Sequence, residues 1–527
     1  MRIVVSDQLP ASALDLLRAE PGWIVDARAG RDPQTLAADL SGADALVVRS
    51  ATTVDERLLD AAPGLKVVAR AGTGVDNVNL EAASARGIIV MNAPGANSIS
   101  VAEHALALML AAARAIPSAD RSMKEGRWAK KGLLGAELRG KTLGVVGLGR
   151  IGQAVAARAH GFGMTVVAHD PYIAAHVAQD LGVALLTLDD LCAQADYISL
   201  HLPSTPATHH LFDAARLARC KPGVRIVNTS RGDLIDEGAL ADAIESGHVA
   251  GAGLDVFEIE PPTDTRLTKL PQVVATPHIA ASTHEAQELV GLETVTSVRD
   301  FLRDGIVRNA VNFPSVSAEE FRRLQPALRL AEALGSLASQ LEEARTHAVG
   351  VRYYGALNEA PGDLLTSAVL VGLFKRMLAS GISLVNARAV AAGRGVEVVE
   401  SRSSRGRNFT SLISVKLHTS GGERWVEGAV FEPGTPRLVL LDGVAVEAPL
   451  EGTLIVLAND DRPGVIGEVG TVLGRHGINI GAFALGRGPA GAVGVVSVDA
   501  PSGEIDDRVV AEVRRASAVK SAVVVRI

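Results

Sequence analysis

The sequence TLGVVGLGRIGQAVAARAHGFGMTVVAHD, residues 142–170, decides the fold of much of this chain. Its apolar ends predict two strands, and the Ala-rich segment between them predicts a helix. Gly147, Gly149 and Gly152 occupy the turn from the first strand into the helix. In that order they permit a tight turn, let the backbone approach a pyrophosphate, and let the helix pack closely on the strand. Because the helix N-terminus directs unpaired N–H groups at phosphates, the stretch predicts a dinucleotide-binding unit.

Asp170 ends the second of these strands. A carboxylate at this place accepts hydrogen bonds from the adenosine ribose hydroxyls and repels a phosphate on that ribose. NAD is therefore the expected cofactor, rather than NADP. A lone G-x-G-x-x-G is weak evidence, because an ordinary turn before a helix can contain the same glycines. Its place between two strands, with an acid beyond them, favours the cofactor site.

Short apolar runs alternate with helical patterns on both sides of this unit, which predicts βαβ units and parallel sheets. The predicted strands are Arg2–Ser6, Ala45–Arg49, Lys66–Ala71, Ile88–Asn92, Thr142–Gly147, Thr165–Asp170, Tyr197–Leu202, Arg225–Thr229, Gly253–Phe257 and Val273–Pro277. These are too many for one compact sheet, so we expect two Rossmann-like, doubly wound α/β domains. One precedes the helix that begins near Ile99, and the other starts at Thr142. The helix near Glu285–Arg303 could return the chain to the first domain.

Three polar residues follow predicted strands after the glycine turn, namely Arg231, Glu260 and His278. Ligands bind beyond the carboxyl ends of the strands in open parallel sheets. Hydride transfer from a secondary alcohol needs a base for the hydroxyl proton, and histidine suits that role near neutral pH. A carboxylate beside the imidazole would fix its tautomer, and a guanidinium binds the carboxylate of a 2-hydroxy acid well. Each residue alone could be an ordinary loop residue, but their shared position favours a catalytic set.

Residues 1–310 resemble the D-isomer-specific 2-hydroxyacid dehydrogenase family. The resemblance rests on ARAGTGVDN (69–77), GVVGLGRIGQ (144–153), HLPSTPAT (201–208), VNTSRGDLIDEGAL (227–240), GLDVFEIEP (253–261) and TPHIAAST (276–283). It implies that Arg231, Glu260 and His278 are catalytic. It also implies cofactor contacts beyond the glycine turn, from Arg150, Ile151, Asp170, Thr229 and Asp255. The family fold implies a substrate domain of residues 1–95 and 280–315 around a nucleotide domain of residues 96–279.

Two other segments, VVRSATTVD (47–55) and NAPGANSISVAEH (92–104), resemble the phosphoglycerate dehydrogenases of this family. This resemblance implies substrate contacts from Arg49, Ser50, Gly72, Thr73 and Asn97. The expected reaction is NAD-dependent oxidation of 3-phospho-D-glycerate to 3-phosphooxypyruvate, the entry step of L-serine synthesis. A glycerate, hydroxypyruvate or D-lactate dehydrogenase is an alternative, although such chains usually end soon after the catalytic region. A dinucleotide-sensing corepressor is another alternative, although such proteins lack the C-terminal domain described next.

Residues 453–527 follow the order strand, DDRPG turn, helix, strand, strand, helix, strand, which is the ferredoxin-like arrangement. They resemble an ACT domain. Residues 317–452 resemble the α+β intervening domain of the long phosphoglycerate dehydrogenases, for which a structural or assembly role is expected. ACT domains of those enzymes pair and bind L-serine, which implies effector contacts at Asp461 and Asn479. A purely dimerising domain is the alternative.

The composition, with 47% hydrophobic and 3% aromatic residues, is typical of α/β domains. A net charge of -7 without a basic block indicates no nucleic-acid partner. No apolar run approaches the ~20 residues of a membrane span, and MRIVVSDQLP lacks the layout of a signal peptide. Cys192 and Cys220 cannot build a disulfide framework, so a cytoplasmic enzyme is expected. We expect no metal at the active site, and a homo-oligomer, either a dimer or a tetramer.

Overall fold

The computed structural model describes residues 1–314, 316–342, 344–378, 381–405, 408–431, 434–489, 491–499 and 505–527. The chain divides into two compact units. The first comprises Met1–Gln8, Leu14–Asn92 and Thr294–Ile527, and the second comprises Leu9–Ala13 and Ala93–Glu293. The domain boundaries expected from the sequence stay predictions, and the one at residue 315 lies outside the described residues.

Five short strands open the first unit, namely β1 (Arg2–Val5), β2 (Ile24–Ala27), β3 (Ala45–Val48), β4 (Val67–Arg70) and β5 (Ile89–Met91). They form one parallel sheet in the order β2-β1-β3-β4-β5. The helices along this segment are α1 (Ala11–Arg18), α2 (Pro33–Leu40), α3 (Glu56–Asp60) and α4 (Leu80–Ala85). The chain returns to the edge of this sheet much later, where the Val311 N–H donates to the Val90 carbonyl at 2.8 Å.

The second unit contains a seven-stranded parallel sheet. Its strands are β6 (Thr142–Val146), β7 (Thr165–His169), β8 (Ala184–Leu185), β9 (Tyr197–Leu200), β10 (Val224–Asn228), β11 (Val249–Leu254) and β12 (Val273–Ala275). The helices are α5 (Ser98–Arg114), α6 (Ile116–Lys124), α7 (Arg150–Gly161), α8 (Ala175–Asp180), α9 (Leu188–Gln194), α10 (Ala214–Arg219), α11 (Glu237–Glu245), α12 (Arg266–Lys269) and the first part of α13 (His284–Asp304), whose residues from Thr294 belong to the first unit. The strand order is β12-β11-β10-β9-β6-β7-β8. It reverses between β6 and β9, where doubly wound sheets bind their ligands.

The two parallel sheets confirm the predicted fold class, and every predicted strand overlaps an observed one. The strand predicted at Gly253–Phe257 is displaced, because the observed β11 spans Val249–Leu254. Two strands are additional, and both gave too weak a pattern to be predicted. In β2, at the edge of its sheet, Ile24 is exposed, and β8 has only two residues, both exposed. Among the described residues, no single helix is long and apolar enough to cross a membrane. Among the same residues, only α5 and α6 taken together have the length and composition of a membrane span, and the pair is bent by 68°.

The intervening region forms a six-stranded mixed sheet within the first unit. Its strands are β13 (Thr346–Gly355), β14 (Glu397–Ser403), β15 (Ser411–Thr419), β16 (Gly422–Phe431), β17 (Thr435–Leu441) and β18 (Val444–Pro449). The order is β14-β13-β15-β16-β17-β18, and the pair of β13 with β14 is parallel while the other pairs are antiparallel. The helices here are α14 (Ala318–Gln340), α15 (Gly362–Phe374) and α16 (Ala387–Gly393). This arrangement confirms an α+β region.

The C-terminal segment forms a four-stranded antiparallel sheet. Its elements are β19 (Thr453–Asn459), α17 (Val465–Arg475), β20 (Asn479–Gly488), β21 (Gly491–Asp499), α18 (Asp507–Arg514) and β22 (Val519–Arg526). The strand order β20-β21-β19-β22 is that of the ferredoxin-like fold. Apolar residues of both helices, such as Val469 and Val513, are fully buried together with Ile455 and Val496 of the sheet. The predicted ferredoxin-like arrangement is therefore confirmed.

Candidate active site

The glycine turn between β6 and α7 has the geometry that a pyrophosphate needs. Gly147 has φ +92°, and a Cβ there would lie 2.4 Å from the His201 carbonyl oxygen. A Cβ at Gly152 would lie 2.1 Å from the Gly147 oxygen, so glycine is required where the helix contacts the turn. Gly149 is the N-cap of α7, and a Cβ there would enter open space. Among the described side chains none caps this helix end. Its N–H groups therefore have room for a phosphate.

Asp170 follows β7 and braces this turn. One carboxylate oxygen accepts the Leu148 N–H at 2.8 Å, and the other accepts the Tyr172 N–H at 2.9 Å. The second oxygen also accepts the Ile173 N–H at 3.2 Å. The oxygen that accepts the Leu148 N–H retains capacity for a further hydrogen bond, so it can receive a ribose hydroxyl. Arg150 and Ile151 form the first turn of α7. Ile151 packs against the core, whereas Arg150 is exposed.

Thr229 and His201 end β10 and β9 with buried polar atoms that have no hydrogen-bond partner among the described residues. These atoms are the Thr229 Oγ1 and the His201 Nδ1. The other ring nitrogen of His201 lies 2.8 Å from the Ser199 Oγ, and burial lowers the pKa of His201 to about 4. The ring is therefore neutral at physiological pH. Orphaned polar groups are expected where a polar ligand binds. Together with the open glycine turn, they show that these residues fit a dinucleotide.

His278 and Glu260 form a hydrogen-bonded pair in the second unit. The His278 Nδ1 lies 2.7 Å from the Glu260 Oε2, and the other oxygen of Glu260 accepts the Phe257 N–H at 3.1 Å. His278 has φ +52°, a left-handed conformation that is uncommon for residues other than glycine. Its N–H donates to the Asp255 carbonyl at 2.8 Å, which helps to hold that conformation. With Nδ1–H directed at a carboxylate, the ring presents Nε2 as a proton acceptor.

The carboxylate of Asp255 is fully buried and binds the loop that carries His278. It accepts the Thr276 Oγ1–H at 2.6 Å, the Ile279 N–H at 2.9 Å and the Ala280 N–H at 2.8 Å. The His104 Nε2 lies 3.3 Å away. Burial alone would raise the pKa of Asp255, but the hydrogen bonds from His104, Thr276 and the two amides outweigh it and lower the pKa. The cofactor contact expected of Asp255 stays a prediction, and the observed contacts of its side chain anchor the loop that carries His278.

Sequence reasoning assigned no role to His104 or Thr276, although both belong to motifs that carry the family resemblance. The His104 Nε2 lies 3.0 Å from the Thr276 Oγ1. Their connection through Asp255 spans more than 150 residues of sequence, because α5 and the β12 loop meet only in the fold. Membership of those motifs was the signal available, since His104 follows Glu103 on α5 and does not stand out as a polar residue there.

Arg231 lies in a turn after β10 that its neighbours hold. The Asn228 Nδ2–H donates to the Arg231 carbonyl at 2.7 Å, and the Ser230 N–H donates to the Asn228 Oδ1 at 3.0 Å. The Ser230 hydroxyl donates to the Leu200 carbonyl at 2.6 Å. The three predicted catalytic residues therefore follow the adjacent strands β10, β11 and β12. A cavity of about 570 Å³ opens beside two of them and is lined by Phe257, Glu260, Pro261, Pro262, Thr268, Ala275, Thr276, Pro277 and His278.

Four of the predicted substrate residues belong to the first unit, namely Arg49, Ser50, Gly72 and Thr73. The Arg49 N–H donates to the Asp7 carboxylate, and Asn77 donates to the Arg49 carbonyl at 2.6 Å. The Arg49 backbone is thus fixed at the end of β3. The fifth, Asn97, is the N-cap residue of α5 in the second unit.

The predicted effector residues lie at opposite ends of the C-terminal sheet. Asp461 follows β19 and pairs with the Arg487 Nε at 3.3 Å. Asn479 begins β20 and is opposite Asp499, whereas Arg487 is opposite Ala492. Within one chain the fold therefore does not bring Asp461 and Asn479 together.

Comparison with known protein families matches three regions of the chain. The family described as D-isomer specific 2-hydroxyacid dehydrogenase, NAD binding domain, matches residues 106–280. The D-3-phosphoglycerate dehydrogenase intervening domain matches residues 323–442, and the ACT domain matches residues 452–518.

Whole-chain relatives agree with these matches. The D-3-phosphoglycerate dehydrogenase of Archaeoglobus fulgidus is 41% identical over 488 residues, which is 92% of this chain and 92% of that protein. That of Methanocaldococcus jannaschii is 40% identical over the full length of both chains. Among solved structures, the D-lactate dehydrogenase of Aquifex aeolicus, complexed with NAD and lactic acid, is 29% identical. It covers 60% of this chain and all of its own, with a TM-score of 0.51.

The NAD-binding family and the open glycine turn agree on the cofactor, which is NAD. The relatives match from the first sheet to the ACT domain. The chain belongs to the D-3-phosphoglycerate dehydrogenases, within the D-isomer specific 2-hydroxyacid dehydrogenase family.

Proposed function

We propose that this enzyme oxidises 3-phospho-D-glycerate to 3-phosphooxypyruvate with NAD, as the first step of L-serine biosynthesis. The observation that carries the proposal is the His278–Glu260 pair, 2.7 Å apart beside a dinucleotide fold. It occurs in a chain that matches D-3-phosphoglycerate dehydrogenases along its whole length. NAD, when bound, supplies the acceptor for the hydride of the substrate alcohol.

Each predicted catalytic residue receives a defined task in this proposal. The Nε2 of His278 takes the hydroxyl proton as the alcohol becomes a ketone. Glu260 orients the ring through Nδ1 and stabilises the imidazolium that forms, while remaining charged itself. Arg231 binds the substrate carboxylate with its planar guanidinium and so fixes the hydroxyl near the base. Thr229 and Asp170 bind the cofactor.

Arg49 is the proposed ligand of the substrate phosphate, with Ser50, Gly72, Thr73 and Asn97 completing the substrate contacts. An arginine forms charge-assisted, bidentate hydrogen bonds with phosphate. The backbone of Arg49 is held by Asp7 and Asn77. This assignment rests on the sequence resemblance.

The experiment compares 3-phospho-D-glycerate with D-glycerate, which lacks the phosphate, in the wild type and in Arg49→Ala. Losing a charge-assisted bond of about 1.5–3 kcal/mol should raise KM for the phosphorylated substrate about tenfold or more, with little change for D-glycerate. Arg57→Ala, which removes an exposed arginine of the same sheet domain, is the matched control. Equal effects of Arg49→Ala on the two substrates would contradict the assignment.

We also propose that L-serine inhibits the enzyme by binding between paired ACT domains. The N-terminus of α17 at Gly464 has no side-chain cap among the described residues, so its N–H groups could hold a carboxylate. Asp461 would meet the ammonium group. Asn479 lies at the far end of the sheet, so it would come from the partner chain. Pairing along an outer strand such as β20 would cover a sheet edge.

The serine proposal is tested with the full chain. We expect L-serine to inhibit the wild type, and Asp461→Ala and Asn479→Ala to keep turning over with much weaker inhibition. Ser521→Ala, on the exposed face of β22, is the control and should respond like the wild type. Unchanged inhibition in both effector variants would place the effector elsewhere, and an insensitive wild type would leave only an assembly role.

Exposed apolar side chains around α6 support a homo-oligomer, either a dimer or a tetramer. The exposed fractions are 54% for Ile116, 55% for Met123, 81% for Trp128 and 99% for Leu134. Exposed apolar patches are typical of interfaces, and these four side chains all lie between residues 116 and 134. Sedimentation of Trp128→Glu should show smaller particles than the wild type, whereas Met377→Glu should not.

We also expect a cytoplasmic location, because Cys192 and Cys220 are free thiols.

A further inference from the structure

His209, His210 and Glu258 form a compact cluster that the proposed reaction does not use. The two histidines lie in the loop after β9, and Glu258 lies in the loop after β11. The His210 Nε2 lies 3.3 Å from the Glu258 Oε1, and the His209 Nε2 lies 4.0 Å from the same oxygen. One potential ligand atom from each residue lies within 4.8 Å of the other two. The three side chains are part-exposed, so an ion can reach them from solvent.

We propose that this cluster binds a divalent transition-metal ion, with Zn²⁺ as the reference ion. Two neutral imidazoles and one carboxylate are a ligand set that Zn²⁺ favours, with water in the fourth position. Tetrahedral bonds of about 2.0–2.2 Å place ligand atoms roughly 3.4 Å apart. The present separations must therefore shrink by no more than about 1.5 Å. In the proposed site, rotation of the part-exposed side chains closes these separations and opens the stacked histidine rings, whose centroids are now 4.0 Å apart.

The backbone beneath the cluster is already fixed. The His210 N–H donates to the Asp233 carbonyl at 2.7 Å, and this contact holds His210 in a left-handed conformation with φ +46°. The Glu258 N–H donates to the Glu237 Oε1 at 2.8 Å. A fixed backbone lowers the entropic cost of binding, because only side-chain rotations are lost. The Glu237 carboxylate also adds negative charge beside the proposed cation.

The site would tie the loop after β9 to the loop that carries Glu260. The backbone of Gly232 packs against this second loop, since a Cβ there would lie 1.9 Å from the Phe257 carbonyl carbon. The His278–Glu260 pair, in which Glu260 lies two residues after Glu258, is a competing place for an ion, but it offers only two ligands. The proposal does not depend on the proposed function, because it concerns residues outside the catalytic set.

The test measures metal binding to the full chain, freed of metal by a chelator that is then removed. Zn²⁺ binding is followed by calorimetry, and Co²⁺ binding by its visible absorption, which reports the ligand geometry. We expect one site per chain, weakened at least about tenfold in the double variant His209→Ala, His210→Ala and in Glu258→Gln. His176→Ala, which removes an exposed histidine of α8, and His278→Ala should bind like the wild type. Thermal unfolding without metal verifies that each variant is folded.

Undiminished Zn²⁺ affinity in the folded double variant would overturn the proposal. So would a loss of the site in His278→Ala that equals the loss in the double variant, because that result would place the ion at the catalytic pair.

Discussion

Replacing Asp255 with alanine tests whether its side chain anchors the loop that carries His278 or only contacts the cofactor. The fully buried carboxylate accepts three hydrogen bonds, from Thr276, Ile279 and Ala280. Hydrogen bonds to a charged group contribute about 1.5–3 kcal/mol each, and neighbouring ones are not additive. We therefore expect Asp255→Ala to lower the free energy of unfolding by about 3–6 kcal/mol.

Turnover should fall as well, because the same loop positions His278. A misplacement of the base by about 1 Å costs on the order of 10²-fold in rate. We expect kcat to fall by about that factor at temperatures where the variant is folded, with a smaller change in the Kd for NAD. Urea unfolding, steady-state kinetics and NAD titration measure the three quantities.

Asp196→Ala is the matched control, since that carboxylate also accepts a backbone N–H, from Thr142 at 2.9 Å, at the opposite end of the sheet. It should lower stability without lowering kcat. An unchanged kcat in folded Asp255→Ala, or a loss confined to NAD binding, would refute the anchoring role.

The pH dependence of the free energy of unfolding is a second test of the role of Asp255. Its pKa is lowered in the folded protein by hydrogen bonds that outweigh burial. The stabilisation is therefore present above the unfolded pKa of about 3.9 and is lost as pH falls through the lower folded value. The difference in unfolding free energy between wild type and Asp255→Ala should stay constant above about pH 5 and shrink in more acidic solution. A difference that grows on acidification would contradict this sign.

Three other predictions concern the remaining site residues. His278→Ala should lower kcat by ~10² to 10⁴ with the Kd for NAD unchanged, and a normal kcat would remove it as the base. Glu260→Gln should shift the pH–rate profile for oxidation toward lower pH, because a neutral partner no longer stabilises the imidazolium; an unmoved pH–rate profile would count against the pair. Asp170→Ala should narrow the preference for NAD over NADP in kcat/KM by removing repulsion of the 2′-phosphate, whereas a wild type that already uses both equally would show the assignment to be wrong.

Local sequence patterns predicted most of the fold, because the strands carry their own signal. Buried apolar runs between glycine turns and helices located the strands of both parallel sheets, and one βαββαβ order located the C-terminal fold. The edge strands β2 and β8 were missed because they bury too little apolar surface to show a pattern.

From the sequence, the candidate site could be predicted only for residues that follow a strand or belong to a motif. The hydrogen bond between His278 and Glu260 followed from the chemistry of each residue. The anchoring of the His278 loop by Asp255, with His104 beside it, could not be predicted, because it depends on how α5 packs against the end of β12. The cluster of His209, His210 and Glu258 likewise exists only because two loops meet in the fold.

Steady-state formation of NADH by the wild type, with 3-phospho-D-glycerate and with D-glycerate under identical conditions, tests the central claim most directly. The proposed phosphate contact predicts a kcat/KM for 3-phospho-D-glycerate at least about tenfold above that for D-glycerate, with 3-phosphooxypyruvate as the product. Equal kcat/KM values for the two substrates, or no NADH from either, would contradict it.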